Sequence, residues 1–200
     1  HNVLMRIVDS VSTAHKTDAE LIAAVTRGAR NAFADIVRRY EAVVASTVIG
    51  MLGAGDAAEE AGQVAMIKIY NGLDRFRADS SFKTYVTRIA MNTALDELRR
   101  RKRFLSRFFT RADSDAADPI DDIPASDNVA GNLEQRQLVL NALNQLKPEF
   151  RSVAVLRLMQ GYSTAEVAAI LNLSEGTVFS RLSRARQHLK AALESEIYDE

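Results

Sequence analysis

Hydrophobic positions recur along most of this chain at intervals of three and four residues, which is the period of an amphipathic α-helix. No segment shows the two-residue alternation of a β-strand. The pattern predicts helices over about residues 18–27, 32–51, 57–73, 82–103, 133–146, 149–159, 163–171 and 174–190. We therefore expect an all-α fold.

A change in composition separates these helices into two groups. Between Asp113 and Asn128 there are six aspartates, two prolines and no cation. A segment this polar cannot bury a core and is expected to be flexible. The sequence therefore predicts two small helical domains, at 17–104 and 133–193, joined by an acidic linker at 105–132.

Residues 163–190 contain two helical patterns that meet across a three-residue turn. Ser163 and Glu166 have the spacing of a capping box, and Asn172 in the turn is suited to a left-handed conformation. On the second helix, polar and basic side chains occupy the side opposite the apolar stripe: Thr177, Ser180, Arg181, Arg184 and Lys190. This arrangement is typical of a helix-turn-helix whose recognition helix enters the DNA major groove. An ordinary helical hairpin with a solvated basic face is the alternative.

The predicted helix over 82–103 carries a second candidate surface. Its polar positions form a stripe that includes Arg88 and Asn92 and continues into the unbroken cationic run at 99–103. Arginines bind phosphates, and an asparagine amide can read a base edge. Any one of these residues alone is better explained as part of a solvated face, but the stripe together with the run favours nucleic acid. The neighbouring Phe76, Phe82 and Tyr85 are suited to stacking on unpaired bases, although Phe82 also fits the core.

Composition excludes several other classes of protein. The 26 basic and 26 acidic residues cancel, so net charge does not indicate a partner. The absence of cysteine excludes disulfides and thiolate metal sites, and the three histidines are scattered. No apolar run approaches the roughly 18–20 residues of a membrane helix, and the start of the chain has no signal-peptide pattern. We expect a cytoplasmic protein with no cofactor, no metal and no membrane segment of its own.

Three segments together resemble a known family. Residues 32–40 (AFADIVRRY), 70–103 and 146–189 are similar, in this order and spacing, to the extracytoplasmic-function sigma factors. These are the minimal two-domain class of bacterial RNA polymerase specificity subunits, and the resemblance extends over about 20–103 and 133–190. It implies an alternative sigma factor that binds core RNA polymerase and directs promoter-specific initiation, melting the promoter by capture of the non-template strand.

The resemblance also implies roles for particular residues. Contacts with the polymerase clamp fall on Gln63, Ile67 and Tyr70. Contacts with the minus-ten element fall on Tyr85, Arg88, Asn92, Arg99, Arg100 and Arg103, with Asn92 in the base pocket. Contacts with the minus-thirty-five element fall on Arg157, Gly176, Thr177, Phe179, Ser180, Arg181 and Arg184. The implied partners are the beta-prime clamp and beta flap of the core polymerase, promoter DNA and an anti-sigma factor.

Four positions depart from the family pattern. Val64 and Met66 replace an acid and an aromatic residue on the clamp-binding helix, and Tyr85 replaces a tryptophan. Phe179 stands where many members have a cation, which removes one polar contact and favours apolar contact with a thymine methyl. The promoter sequence therefore cannot be inherited from other members.

Two other classes of function fit parts of the sequence less well. An autonomous helix-turn-helix regulator with a helical sensing domain would bind duplex DNA without polymerase, but it would not need a second cationic surface suited to single strands. An enzyme would need a recognisable catalytic motif. The chain has no nucleotide-binding glycine motif and no cysteine or histidine nucleophile system, and its aspartate-rich segment lacks the spacing of a calcium loop. We predict no enzymatic activity.

Overall fold

The computed structural model describes residues 16–109 and 132–198. It confirms the all-α prediction, since these two ranges contain no strand. The helices are α1 (Asp18–Thr26), α2 (Arg30–Leu52), α3 (Asp56–Gly72), α4 (Phe82–Phe109), α5 (Asn132–Asn144), α6 (Pro148–Ala154), α7 (Thr164–Leu171) and α8 (Glu175–Tyr198). A 3₁₀ turn (Leu73–Arg75) follows α3, and a π-helical turn (Val155–Met159) follows α6.

The N-terminal domain packs α1, α3 and α4 around the long helix α2. Its core contains fully buried side chains from all four helices, among them Leu21, Ile36, Met51, Ile69 and Met91. A capping box fixes the start of α1, because the Glu20 amide donates to the Thr17 hydroxyl and the Thr17 amide donates to the Glu20 carboxylate. This domain positions the exposed faces of α3 and α4.

Two helices extend beyond the domain limits predicted from the sequence. α4 continues to Phe109, five residues past the expected limit at 104, and α8 reaches Tyr198 rather than ending near 193. Neither extension contains glycine or proline, so no residue in it favours a helix end. The acidic segment at 113–128 lies outside the described residues.

The C-terminal domain packs α6 and α7 against α8, with α5 across α6 and α8. Its core includes Leu143, Val153, Leu156, Val167 and Val178. The sequence predicted one α-helix over 149–159, but its last five residues form the π turn, closed by a bond from the Gln160 amide to the Val155 carbonyl (3.1 Å). Leu158 in this turn is exposed.

The two domains contact each other directly. The C-terminal half of α2 and the first turns of α4 pack against α5, α6, the π turn and α7. The sequence predicted two tethered domains and did not predict this contact.

Candidate nucleic-acid interface

The helix-turn-helix has the local geometry that the sequence predicts. At the start of α7 the Glu166 amide donates to the Ser163 hydroxyl (3.2 Å), and the Ser163 amide donates to the Glu166 carboxylate (2.8 Å). These bonds stabilise the ionised carboxylate and hold the pKa of Glu166 below its ordinary value. The capping box is therefore confirmed.

The turn between α7 and α8 is held by one left-handed residue. Asn172 has φ 53° and ψ 53°, and the Leu173 amide closes the end of α7 on the Ala168 carbonyl (2.9 Å). Ser174 then caps α8 by accepting from the Thr177 amide (3.1 Å). Because Val178 of α8 is fully buried, the opposite side of this helix faces outward.

The outward face of α8 presents an aromatic side chain among cationic ones. Phe179 is 61% exposed, Arg184 is exposed and Arg181 is half-buried. Gly176 and Ser180 lie on the same exposed side, whereas Thr177 is half-buried and shares a hydrogen bond with the Ser174 hydroxyl. The face therefore combines bidentate donors with an apolar ring, a set suited to base edges in a major groove.

Arg157 is the one predicted minus-thirty-five residue that lies outside α8. It sits in the π turn, is half-buried and donates to the carbonyl of Tyr162. This bond ties the π turn to the backbone just before α7, the first helix of the helix-turn-helix.

The stripe on α4 has an exposed and a covered part. Asn92 is exposed, whereas Arg88 is half-buried and donates to the Ala169 carbonyl of α7 (3.1 Å). Tyr85 is half-buried in an aromatic cluster, with its ring centroid 5.0 Å from that of Phe76 and 5.7 Å from that of Phe82. Burial raises the pKa of the Tyr85 hydroxyl, so this side chain is a neutral aromatic group beside the stripe.

Comparison with known proteins decides the family. The chain matches the family models for Sigma-70 region 2 at residues 36–104 and for Sigma-70 region 4 at residues 136–189. The ECF RNA polymerase sigma-E factor of Escherichia coli (strain K12) is 36% identical over 182 residues, which cover 86% of this chain and 91% of that protein. The chain belongs to the ECF sigma factors. It is therefore a transcription initiation factor that binds core RNA polymerase and directs it to promoters.

A further relative and two solved structures extend the comparison. The ECF sigma factor SigM of Mycobacterium tuberculosis is 35% identical over 179 residues, covering 89% of this chain and 85% of that protein. CnrH, solved in complex with the cytosolic domain of CnrY, has a TM-score of 0.62 and 27% identity, covering 88% of this chain and 96% of CnrH. The sigma factor RpoE of Bartonella quintana, solved with the anti-sigma factor NepR, has a TM-score of 0.62 and 25% identity, covering 81% and 96%.

Carboxylates accompany the cationic run of this sigma factor. Arg99 pairs with Asp96 (2.9 Å), and one carboxylate, Glu97, accepts from both Arg100 (2.7 Å) and Arg101 (3.0 Å). The bond between Arg100 and Glu97 raises the pKa of the former and lowers that of the latter. These pairs join residues three or four positions apart, the spacing at which side chains meet on a helix surface.

The predicted polymerase-binding side of α3 is exposed and partly apolar. Ile67 is 59% exposed, Tyr70 is 43% exposed and Gln63 is also exposed. Val64, one of the departures from the family pattern, adds apolar surface, whereas Met66 is half-buried and packs against the core. The two departures on this helix therefore differ, because only Val64 is exposed.

Neither a membrane helix nor a metal cluster occurs in the described part of the chain. None of the helices within 16–109 and 132–198 is long and apolar enough to cross a membrane. The same ranges contain no group of three His, Cys, Asp or Glu side chains placed to hold a metal ion.

Proposed function

We propose that this ECF sigma factor holds a promoter at two separate points. The recognition helix α8 reads the duplex minus-thirty-five element, and α4 holds the unpaired non-template strand of the minus-ten element. The observation that carries this proposal is the exposure of Asn92 on α4, next to a cationic run and on a different domain from the recognition face. The chain supplies binding and strand separation in this scheme, and no catalytic step.

Duplex recognition rests on the side chains that leave α8. A guanidinium such as that of Arg184 can donate two hydrogen bonds to O6 and N7 of guanine. Phe179 has no polar atom to offer and would contact a thymine methyl instead. We therefore propose a minus-thirty-five element that contains both a guanine and an adjacent thymine.

Strand capture needs one base to leave the stack. Unstacking costs a few kcal/mol, which contacts in a pocket must offset. The amide of Asn92 can donate to and accept from a base edge, and Arg99, Arg100 and Arg103 follow on the same helix to neutralise phosphates. The aromatic cluster around Tyr85 supplies an apolar wall beside this position.

Two observations support the proposed protein partners: the exposed, partly apolar face of α3 and the solved complex of a structural neighbour with its anti-sigma factor. We assign the clamp contact to the face of α3 with Gln63, Ile67 and Tyr70, whose mixed apolar and polar character suits a protein interface. The beta flap would contact the C-terminal domain. RpoE of Bartonella quintana is held by an anti-sigma factor, and we propose a regulator of this kind here. We therefore also propose a cytoplasmic location, where core RNA polymerase and promoter DNA are found.

Run-off transcription with core polymerase on a genomic promoter library tests the whole proposal. The chain should stimulate initiation at a defined set of promoters. Asn92→Ala should reduce open-complex formation, measured by permanganate reactivity, more than closed-complex binding. Asn31→Ala, an exposed asparagine on α2, is the matched control and should change neither.

Two results would contradict the proposal. Equal losses of closed and open complex in Asn92→Ala would remove this residue from strand capture. Failure to stimulate initiation on every template, together with duplex binding in the absence of polymerase, would support the autonomous regulator instead.

A further inference from the structure

A glycine at the end of α3 leaves room for the Tyr85 side chain of α4. A Cβ atom added at Gly72 would lie 2.3 Å from the hydroxyl oxygen of Tyr85, closer than atoms can pack. The same Cβ atom would lie 3.6 Å from Cζ of that ring, which is an ordinary contact. The space beside Gly72 is therefore needed by the hydroxyl group and not by the rest of the ring.

The backbone does not require glycine at this position. Gly72 has φ −105° and ψ 0°, and a negative φ is open to other residues as well. Glycine is also less stable than alanine in a helix. The contact with Tyr85 is therefore the feature of the structure that accounts for the missing side chain.

Aromatic neighbours hold the Tyr85 ring on its other sides. Phe82, one turn earlier on α4, stacks on it with the ring centroids 5.7 Å apart, and Phe76, in the connection before α4, lies 5.0 Å away. Phe82 is buried and packs edge-on against Tyr40 of α2 at 5.2 Å. A methyl group at Gly72 would therefore displace Tyr85 from this cluster, because the rings behind it are part of the core.

The ring held in this way lies on the proposed strand-binding side of α4. Tyr85 and Asn92 are seven residues apart, which is about two helical turns, so they occupy the same face roughly 10 Å apart along the axis. Asn92 is exposed and Tyr85 is half-buried. An unpaired base near Asn92 can therefore reach the accessible part of the Tyr85 ring.

We propose that Gly72 is a positioning residue for strand capture, because the space it leaves fixes the Tyr85 ring as the wall on which an unpaired promoter base packs. This role rests on the proposed function, since Tyr85 is one of the predicted minus-ten contacts. Gly72 itself touches no DNA in this scheme and acts only through Tyr85. A merely structural role would change polymerase binding and promoter melting together, whereas a positioning role changes melting alone.

Equilibrium urea unfolding tests the steric coupling without reference to DNA. Gly72→Ala should lower the midpoint by about 0.5 M or more, since added volume in a packed cluster is destabilising. In a Tyr85→Phe background the same substitution should cause no further loss, because Cζ is at an ordinary distance from the new methyl group. Gly62→Ala, also on α3, is the matched control; its Cβ would lie 3.8 Å from Val48, and its midpoint should not fall.

Promoter melting tests the positioning role. On a promoter selected by run-off transcription, Gly72→Ala should lower the ratio of open to closed complexes by at least about fivefold, the effect of one lost stacking contact. Permanganate reactivity measures the open complex, and gel shift at low temperature measures the closed complex. Affinity for core polymerase should stay at the parental value. In the Tyr85→Phe background Gly72→Ala should not change the ratio further, and Gly62→Ala should match the parent.

The outcomes separate the two parts of the proposal. An equal loss of midpoint from Gly72→Ala in both backgrounds would overturn the steric coupling. Coupling in urea with an unchanged ratio of open to closed complexes would overturn the positioning role alone, if Asn92→Ala lowers that ratio. If Asn92→Ala leaves the ratio unchanged as well, strand capture on α4 is wrong and the positioning role is wrong with it.

Discussion

The contacts of Arg151 predict how much the free energy of unfolding falls when this side chain is removed. Its side chain is 7% exposed and donates four hydrogen bonds, to the carbonyls of Met51, Asn144 and Leu146 and to the side-chain oxygen of Asn144. Burial lowers its pKa to about 10, so the guanidinium is still charged at neutral pH. No carboxylate of the described residues pairs with it, and carbonyls alone hold the charge.

The cost of removing this side chain has two opposing parts. Arg151→Ala leaves three backbone carbonyls without this donor, two of them buried and one partly buried, and each lost buried partner costs about 1–3 kcal/mol. The substitution also removes a buried charge together with its desolvation penalty, and this offsets part of the lost stability. We expect a net loss of about 3 kcal/mol, a large fraction of the roughly 5–15 kcal/mol that stabilises a folded protein.

Equilibrium urea unfolding, followed by circular dichroism, measures this loss. With a slope of about 2 kcal/mol per molar urea, the midpoint of Arg151→Ala should fall by about 1.5 M. Arg151→Lys keeps the charge but cannot reach three carbonyls at once, so it should lose most of the same stability. Arg136→Ala is the control, since Arg136 is exposed on α5. A difference below about 0.5 kcal/mol between Arg151→Ala and this control would refute the reasoning.

Three further predictions concern single residues. Asn172→Ala should destabilise the chain by about 1 kcal/mol in the same urea assay, because alanine tolerates the left-handed turn less well. Glu97→Gln should free Arg100 for phosphates, so that the affinity for single strands rises and its salt dependence steepens; an unchanged slope would contradict this. The depressed pKa of Glu166 means that its cap stabilises the fold above the ordinary value of 4.5 and is lost as the pH falls through its folded value. Glu166→Gln should therefore show a smaller loss of stability on acidification, and an unchanged pH profile would refute the assignment.

Local features of the fold were predictable because their causes lie within four residues. The capping boxes at Thr17 and Ser163 and the left-handed Asn172 follow from side chains next to the backbone groups that they satisfy. The apolar spacing likewise gave the helices and most of the buried positions. The family resemblance supplied the order of the domains and the candidate site residues, whose roles in binding remain predictions.

The features that were missed depend on residues far apart in the sequence. Arg151 and Met51 are 100 residues apart, and Arg88 and Ala169 are 81 apart, so periodicity holds no information about either bond. From the sequence alone, Gly50 cannot be told from any other glycine in a helix, because the side chains that approach it, Val155 and Met159, belong to the other domain. Two residues of the π turn, Val155 and Met159, lie at the same interface, close to Gly50 of α2.

The charges of this sigma factor limit binding to DNA of arbitrary sequence. Phosphate neutralisation supplies most of the sequence-independent affinity for DNA. Strong binding of this kind is unfavourable for selectivity, because the many non-specific sites of a genome compete with the promoter. In this chain the net charge is zero, Asp96 and Glu97 pair with part of the cationic run, and Arg88 is engaged by the C-terminal domain. Each arrangement is expected to lower phosphate binding, while Asn92 and Phe179, which we propose contact bases, stay exposed. The free chain should therefore bind DNA weakly, and its selectivity should emerge when polymerase positions both domains on one promoter.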